Sequence, residues 1–128
     1  MQLFKIGIAR ESLIKYLKYI EKADLVNLLY SETKGISLLN KPEKIYLNNP
    51  NISFALNGNT NLGNARETFF MNQLQLNHKV RFSAKGDFKI DDNFIFEIGG
   101  KNKTRKQIIT EKKAWIVADD LELSVGNK

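Results

Sequence analysis

The sequence contains no cysteine and only one histidine, His78, among its 128 residues. Without cysteine the chain has no disulfide, no thiol nucleophile and no zinc site with thiolate ligands, and one histidine cannot form a histidine cluster. Any bound metal must therefore be a hard cation held by carboxylate oxygens. The phosphate-binding pattern Gly-x4-Gly-Lys-Ser/Thr is also absent, so we predict that the chain itself binds no ATP.

Long apolar runs are equally absent. No segment approaches the ~20 apolar residues that span a bilayer, and the first residues lack the apolar core of a signal peptide. We therefore expect a cytoplasmic protein with no membrane partner. The hydrophobic fraction of 42% and the charged fraction of 27% are typical of a globular chain, and the length suits one main core.

Positive charge is concentrated in one stretch. The formal net charge is +6, and between Lys101 and Lys113 six basic residues face a single acid, Glu111. Such a stretch indicates either a nucleic-acid partner, DNA or RNA, or simply a solvated surface, and the sequence leaves both open. The candidate phosphate-neutralising residues are Lys15, Lys18, Lys101, Lys103, Arg105 and Lys106.

The first part of the chain reads as one helix followed by two strands. Apolar residues recur at helical spacing over residues 9–23 and predict an amphipathic helix, whose stripe is Leu13, Ile14, Leu17, Ile20 and Ala23. Residues 25–30 and 44–47 read as strands, and residues 31–44 as a loop or wing. The turn residues at 48–51 place a boundary there. We therefore divide the chain into an N-terminal unit, residues 1–49, and a core, residues 50–128.

The core predicts a mixed α/β fold. A short helix over 52–56 precedes a helix capped by Asn61 that runs to about residue 76. Its predicted buried stripe is Leu62, Ala65, Phe69, Phe70 and Leu74. Strands follow at 80–83, 88–90 and 94–98, then a basic helical or irregular segment over 103–111 and a last strand over 114–118. The order α-β-β-β-α-β around a mixed sheet is that of the restriction-endonuclease-like fold.

Three acids stand where that fold places magnesium ligands. Glu67 lies in the first core helix, Asp87 opens the second strand and Glu97 lies in the third. Mg²⁺ prefers such oxygen ligands and commonly keeps waters for phosphodiester hydrolysis. The lysine expected two residues after the third acid is replaced by Gly99.

We expect Lys101 or Lys103, beyond two glycines, to be poorly placed to substitute for it. The predicted site is therefore degenerate, with Mg²⁺ at low affinity at most. The plainer alternatives are that Glu67 favours a helix start and Asp87 a turn, whereas an acid inside a strand, as Glu97 is, needs a partner.

Three segments resemble a known family. Arg66-Glu67-Thr68-Phe69-Phe70, Gly86-Asp87-Phe88 and the run from Phe96 to Lys103, Phe-Glu-Ile-Gly-Gly-Lys-Asn-Lys, are similar to the C-terminal domain of unknown function of predicted bacterial AAA+ family ATPases. The resemblance implies an upstream P-loop ATPase domain, which alone would bind ATP. It also implies a partial winged-helix-like element before the nuclease-like core, with residues 8–17 as its last helix.

Three functions follow as hypotheses. The first is a non-catalytic nucleic-acid-binding or regulatory domain whose partners are the upstream ATPase domain and possibly DNA or RNA. The second is a Mg²⁺-dependent nuclease that uses Glu67, Asp87 and Glu97. The third is a protein-interaction module that presents its sheet or its basic face.

Overall fold

The structure, a computed structural model, describes residues 7–31 and 40–122 and is a mixed α/β fold. Over this part of the chain the helices are α1 (Arg10–Lys22), α2 (Pro50–Asn57) and α3 (Leu62–Leu74). The strands are β1 (Val26–Leu29), β2 (Lys44–Leu47), β3 (Val80–Phe82), β4 (Phe88–Ile90), β5 (Phe94–Gly99) and β6 (Ala114–Ala118). The predicted mixed class is confirmed.

Asparagine caps start both core helices. The Asn61 side chain accepts a hydrogen bond from the backbone N–H of Asn64 at 3.0 Å, which satisfies one of the donors left free at the start of α3. Asn49 caps α2 in the same way, and Pro50 occupies the first turn, where no N–H is needed. The cap at Asn61 is confirmed, and α2 begins two residues before the predicted start.

The N-terminal unit consists of α1 and a two-stranded antiparallel ribbon. Strands β1 and β2 pair with Val26 opposite Leu47. The helix has its predicted extent, but of its predicted stripe only Ile14 is buried, while Leu13 and Ile20 remain exposed. In the described part of the chain α1 packs mainly against β1, so one small strand cannot cover the whole stripe. Most of the predicted loop or wing, residues 32–39, lies outside the described residues.

The core sheet has the order β3-β4-β5-β6. The first three strands are antiparallel neighbours, whereas β6 runs parallel to β5. The predicted turn between β4 and β5 is confirmed: Asp91 and Asp92 both have positive φ, at 51° and 59°. Aspartate tolerates this left-handed conformation better than most residues because its short side chain bonds locally.

The connection from β5 to β6 differs from the predicted order. In place of a second α-helix it contains one 3-10 turn, Arg105–Gln107. An amphipathic helix needs a stripe over at least two turns. Here the single side chain Ile108 is buried, against Ala114 and Ile116, while its neighbour Ile109 is exposed. The described chain after α2 therefore has the order α-β-β-β-β, with a 3-10 turn before the last strand, and the nuclease-like topology stays a prediction.

One hydrophobic cluster joins the two predicted units. Its buried members are Leu29, Tyr46, Met71, Phe88, Ile90 and Ile98. A backbone hydrogen bond from Phe82 to the carbonyl of Tyr30 links them further. None of the helices within residues 7–31 and 40–122 is long and apolar enough to cross a membrane.

The buried face of α3 is rotated from the predicted one and overlaps it in part. Phe70 and Leu74 of the predicted stripe pack against the core cluster, as predicted. Thr68 and Met71 are buried, whereas Leu62 and Phe69 of the predicted stripe are exposed. Glu67 precedes Met71 by four residues and Leu74 by seven, so it continues the face that meets the sheet. This rotation is what directs Glu67 toward the core rather than into solvent.

Candidate functional site

The structure brings the three predicted acids to one end of β4 and β5, beside α3. Asp87 immediately precedes β4, and its backbone N–H donates to the carbonyl of Phe96 at 2.9 Å. Its carboxylate accepts a hydrogen bond from the N–H of Ile98 at 2.8 Å. These two bonds fix Asp87 across from Glu97 on the neighbouring strand. Glu67 approaches from α3.

A lysine from the N-terminal unit lies between two of these acids. The Nζ atom of Lys44 is 3.3 Å from Oε2 of Glu67 and 3.4 Å from Oδ1 of Asp87. The two carboxylates are mostly out of water, with 23% and 15% of their side-chain surfaces exposed. At such sites an ion pair is screened less than on the surface, so the Lys44 ammonium attracts both carboxylates more strongly than an exposed lysine would.

Tyr46 binds the same carboxylate from the same strand. Its hydroxyl donates to Oε2 of Glu67 at 2.5 Å, and its ring is buried against Phe88. Burial raises the pKa of the Tyr46 hydroxyl well above its usual range, and the bond to Glu67 and the charges of Glu67 and Asp87 add to the effect. Tyr46 therefore stays protonated and acts as a donor.

Sequence reasoning missed Lys44 and Tyr46. Both lie in β2, a strand it located correctly, and residues two apart in a strand point to the same face. This alternation could have predicted that Lys44 and Tyr46 lie on one face of β2, where both can donate hydrogen bonds to a carboxylate. Nothing local indicated which acid they would meet.

Glu97 is almost fully buried and pairs with Lys103. Only 1% of its side chain is exposed, and its Oε1 lies 2.5 Å from Nζ of Lys103. The contact with Glu97 raises the pKa of Lys103, and the negative charges of Glu97, Asp87 and Glu67 act in the same direction. The other oxygen, Oε2, is buried and has no hydrogen-bond partner in the described part of the molecule.

Lys103 reaches Glu97 by folding back over Gly99. A turn closed by the hydrogen bond from the N–H of Lys103 to the carbonyl of Gly100 reverses the chain. The stem of the lysine then passes so close to Gly99 that a Cβ there would lie 2.7 Å from its Cγ and Cδ atoms. The expectation that a lysine beyond the two glycines is poorly placed is therefore wrong for Lys103. Its ammonium contacts the carboxylate of Glu97.

The other predicted basic residues lie on the connection between β5 and β6 or on α1. Lys101 and Lys106 expose their side chains on the connection between β5 and β6, and Arg105 is partly buried beside them. On α1, Lys15 is exposed and Lys18 is partly exposed. Of the six candidates, Lys103 thus joins the acidic cluster, while the others remain candidate surface contacts.

The donor atoms of the cluster are of the kind that Mg²⁺ prefers, and the unpartnered Oε2 of Glu97 would suit a cation. Their arrangement is nevertheless not that of a metal centre: across residues 7–31 and 40–122 no group of three or more histidine, aspartate and glutamate side chains is placed to hold a metal ion. Ammonium groups lie on the acids instead. The residues as arranged form an ionic cluster of three carboxylates and two ammonium groups, and weak Mg²⁺ binding stays a prediction.

A second feature is an apolar groove of about 460 Å³ between α2, α3 and the β5–β6 edge. Exposed Phe54 and Phe69 line it, and the ion pair between Arg66 and Asp119, at 2.5 Å, lies at its side. Its walls suit apolar contact rather than charge chemistry. The groove is compatible with the hypothesis of a protein-interaction module, which stays a prediction.

Comparison with known proteins adds no identity. No family model, no curated protein and no solved structure matches the chain. The resemblance to the C-terminal domain of AAA+ family ATPases therefore stays a prediction that rests on the residues quoted above.

Proposed function

We propose that the chain is a non-catalytic nucleic-acid-binding or regulatory domain of a larger AAA+ family ATPase. The ATPase assignment rests on the resemblance of segments 66–70, 86–88 and 96–103 alone. The observation that carries the non-catalytic part is that the Lys44 ammonium lies on Glu67 and Asp87. A hydrolytic site would need those carboxylates for a metal ion and a water. Here they hold β2 to the core instead.

Nucleic-acid binding is supported by exposed lysines. Lys103 is engaged by Glu97, whereas the side chains of Lys101 and Lys106 are exposed on the same connection between β5 and β6. Backbone phosphates attract such residues without regard to base sequence, and each contact releases counterions. The proposal therefore predicts binding that is indifferent to sequence and sensitive to salt.

The test is fluorescence anisotropy with labelled duplex and single-stranded DNA at several NaCl concentrations. Replacing Lys101 and Lys106 together by Gln lowers the slope of log affinity against log salt by about 1.4–1.8, because each phosphate contact contributes roughly 0.7–0.9. The charge-matched control replaces Lys22 and Lys79, which are outside the candidate set. Equal loss in both variants refutes Lys101 and Lys106 as the phosphate contacts, and no binding at low salt refutes the nucleic-acid role.

A Mg²⁺-dependent nuclease is the second candidate, and one observation favours it. The positive charge that Gly99 fails to supply beside the third acid is supplied by Lys103, 2.5 Å from Glu97. The absence of a lysine at position 99 is therefore weaker evidence against catalysis than the sequence alone indicates. The non-catalytic role is therefore supported by the contacts of Lys44 with Glu67 and Asp87 more than by the absence of a lysine at position 99.

Incubation with supercoiled plasmid and Mg²⁺ or Mn²⁺ separates the two candidates. If the domain nicks DNA, and Glu97→Gln and Lys103→Gln abolish nicking while Lys106→Gln does not, the nuclease replaces the non-catalytic proposal. Nicking that survives Glu97→Gln indicates a contaminating enzyme. An inactive parent chain leaves the binding domain as the supported function.

A further inference from the structure

Three aromatic side chains meet near the starts of β5 and β6. Phe94, Phe96 and Trp115 line an apolar recess of about 390 Å³ on the core sheet. The ring of Phe96 stacks on Trp115, with centroids 5.8 Å apart and planes 29° apart, and the ring of Phe94 is tilted against Trp115 at 5.7 Å. Because aromatic side chains line it, the recess suits a planar aromatic group that can pack against their rings.

These rings are held in place from the core side. Phe70 of α3 packs against Phe96 at 5.4 Å and against the fully buried Phe88 at 5.3 Å. At the other end of this series of ring contacts, Phe94 is 36% exposed. A ring whose orientation is fixed before binding loses little conformational freedom when a ligand stacks on it. The recess is therefore a preorganised surface that a ligand can reach from solvent.

A lysine lies beside the rings. The Nζ atom of Lys113 is 5.7 Å from the centroid of the Phe94 ring, which is within the range of a cation–π contact. It donates a hydrogen bond to Oδ1 of Asn93 at 2.9 Å, and an ammonium group has further N–H donors that can meet an anion. The preceding residue, Lys112, is exposed as well. An anion attached to a stacked ring would therefore meet positive charge here.

The nearby turn between β4 and β5 opposes such an anion only weakly. Its Asp92 forms ion pairs with Lys79 at 2.6 Å and with Arg81 at 3.0 Å, so two cations offset its charge. Rings beside a surplus of cations are the kind of surface that binds single-stranded nucleic acid, in which bases stack on the rings and phosphates contact the cations. The bases of a duplex already stack on their neighbours, so a duplex cannot offer its base faces to the recess.

We propose that Phe94, Phe96 and Trp115 form a stacking platform for an unpaired base of single-stranded nucleic acid, with Lys113 on the adjoining phosphate. The inference rests on the nucleic-acid-binding role proposed above, and it adds which strand state is preferred and which residues select it. Lysine contacts to phosphate do not distinguish single strands from duplexes in this way, whereas the rings do.

The test uses Trp115, the only tryptophan of the chain, as its reporter. Unlabelled oligothymidylate is titrated into the full chain at low salt while tryptophan fluorescence is recorded, and the anisotropy of a labelled copy measures binding separately. A base stacked on the platform quenches Trp115, and the quenching saturates over the same concentrations as binding. A duplex of the same length that binds through lysines leaves the fluorescence of Trp115 unchanged.

Two variants assign the effect to the platform. Phe94→Leu keeps an apolar side chain but removes the exposed ring, so it weakens oligothymidylate binding about fivefold or more and changes duplex binding less than about twofold. Lys113→Gln lowers the slope of log affinity against log salt for oligothymidylate by about 0.7, the contribution of one phosphate contact. Phe69→Leu, which removes an exposed ring outside the recess, is the matched control and changes neither affinity.

The results that overturn the platform differ from those that overturn nucleic-acid binding itself. Oligothymidylate binding with unchanged Trp115 fluorescence, or binding that Phe94→Leu does not weaken, overturns the platform and leaves the nucleic-acid role standing. If neither oligothymidylate nor duplex changes the anisotropy, the nucleic-acid role fails and the platform fails with it. Self-association of the free chain that shields Trp115 from quenching by iodide would show that a second copy covers the rings, and it also overturns the proposal.

Discussion

The close passage of Lys103 over Gly99 predicts a specific effect of one methyl group. In Gly99→Ala the new Cβ would lie 2.7–2.8 Å from the Cβ, Cγ and Cδ atoms of Lys103. These atoms are next to the lysine backbone, so a rotation at the far end of the side chain cannot relieve the clash. The stem must move, and the Lys103 ammonium leaves Glu97.

The cost follows from the burial of Glu97. Breaking a buried ion pair costs ~3–5 kcal/mol when the remaining charge stays buried. Lys103 is 31% exposed, so water can follow it toward the carboxylate, and we expect a smaller loss, about 2 kcal/mol of the free energy of unfolding. In a chain of this size that corresponds to a fall in melting temperature of roughly 8 °C.

Urea unfolding followed by circular dichroism measures this loss, and a double-mutant cycle assigns it. Lys103→Gly removes all three clashing atoms, so Gly99→Ala should cost less than about 0.5 kcal/mol in that background. Gly100→Ala is the matched control, since its Cβ would meet only Arg66 at an ordinary 3.5 Å. If Gly99→Ala costs the same with and without the Lys103 side chain, the reasoning about the clash is wrong.

Three further predictions concern the core and the hairpin. The pKa of Asp91 is lowered, chiefly by the hydrogen bond from the backbone N–H of Lys79. The ionised Asp91 therefore stabilises the fold above the usual carboxyl pKa range, and this stabilisation is lost as the pH falls through the lowered pKa. Asp91→Asn should lower the melting temperature at pH 7, and the difference from the parent chain should shrink in acid. In an ultraviolet titration of tyrosine ionisation, Tyr46 stays protonated after exposed tyrosines have ionised, and Tyr46→Phe decreases the amplitude of this late component. Burial also raises the pKa of Tyr30, which ionises late as well. An unchanged late amplitude in Tyr46→Phe would refute the prediction. Phe88→Ala, at a fully buried ring, should cost ~3–5 kcal/mol in urea unfolding, whereas Phe69→Ala, at an exposed ring on α3, should cost less than about 1 kcal/mol.

The sequence was sufficient where local chemistry decides the structure. Strand β4 and strand β6 have the predicted bounds, and the cap at Asn61 starts α3 as expected. In each case the signal lies within a few residues: β-branched and aromatic runs, turn residues, or a side chain that bonds the adjacent backbone. Such signals need no knowledge of what packs against them.

The sequence was insufficient where a distant partner decides. Helix α3 has apolar residues around much of its surface, so its periodicity does not choose between a face with Phe69 and the observed face with Met71. Packing against the core sheet determines which face of α3 is buried. For the same reason the acids Glu67 and Asp87 could be proposed, while their partner Lys44, 43 residues before Asp87, could not.

The order of residues in the cluster has a consequence for synthesis. A ribosome makes the chain from its N-terminus, so Lys44 emerges before any of the acids it will touch and Lys103 emerges after all of them. Until the β5–β6 connection is complete, Glu97 has no cation to accompany it into the interior, and burying it alone is costly. We therefore expect the nascent chain to keep β5 accessible to water until the segment after Gly100 has left the exit tunnel.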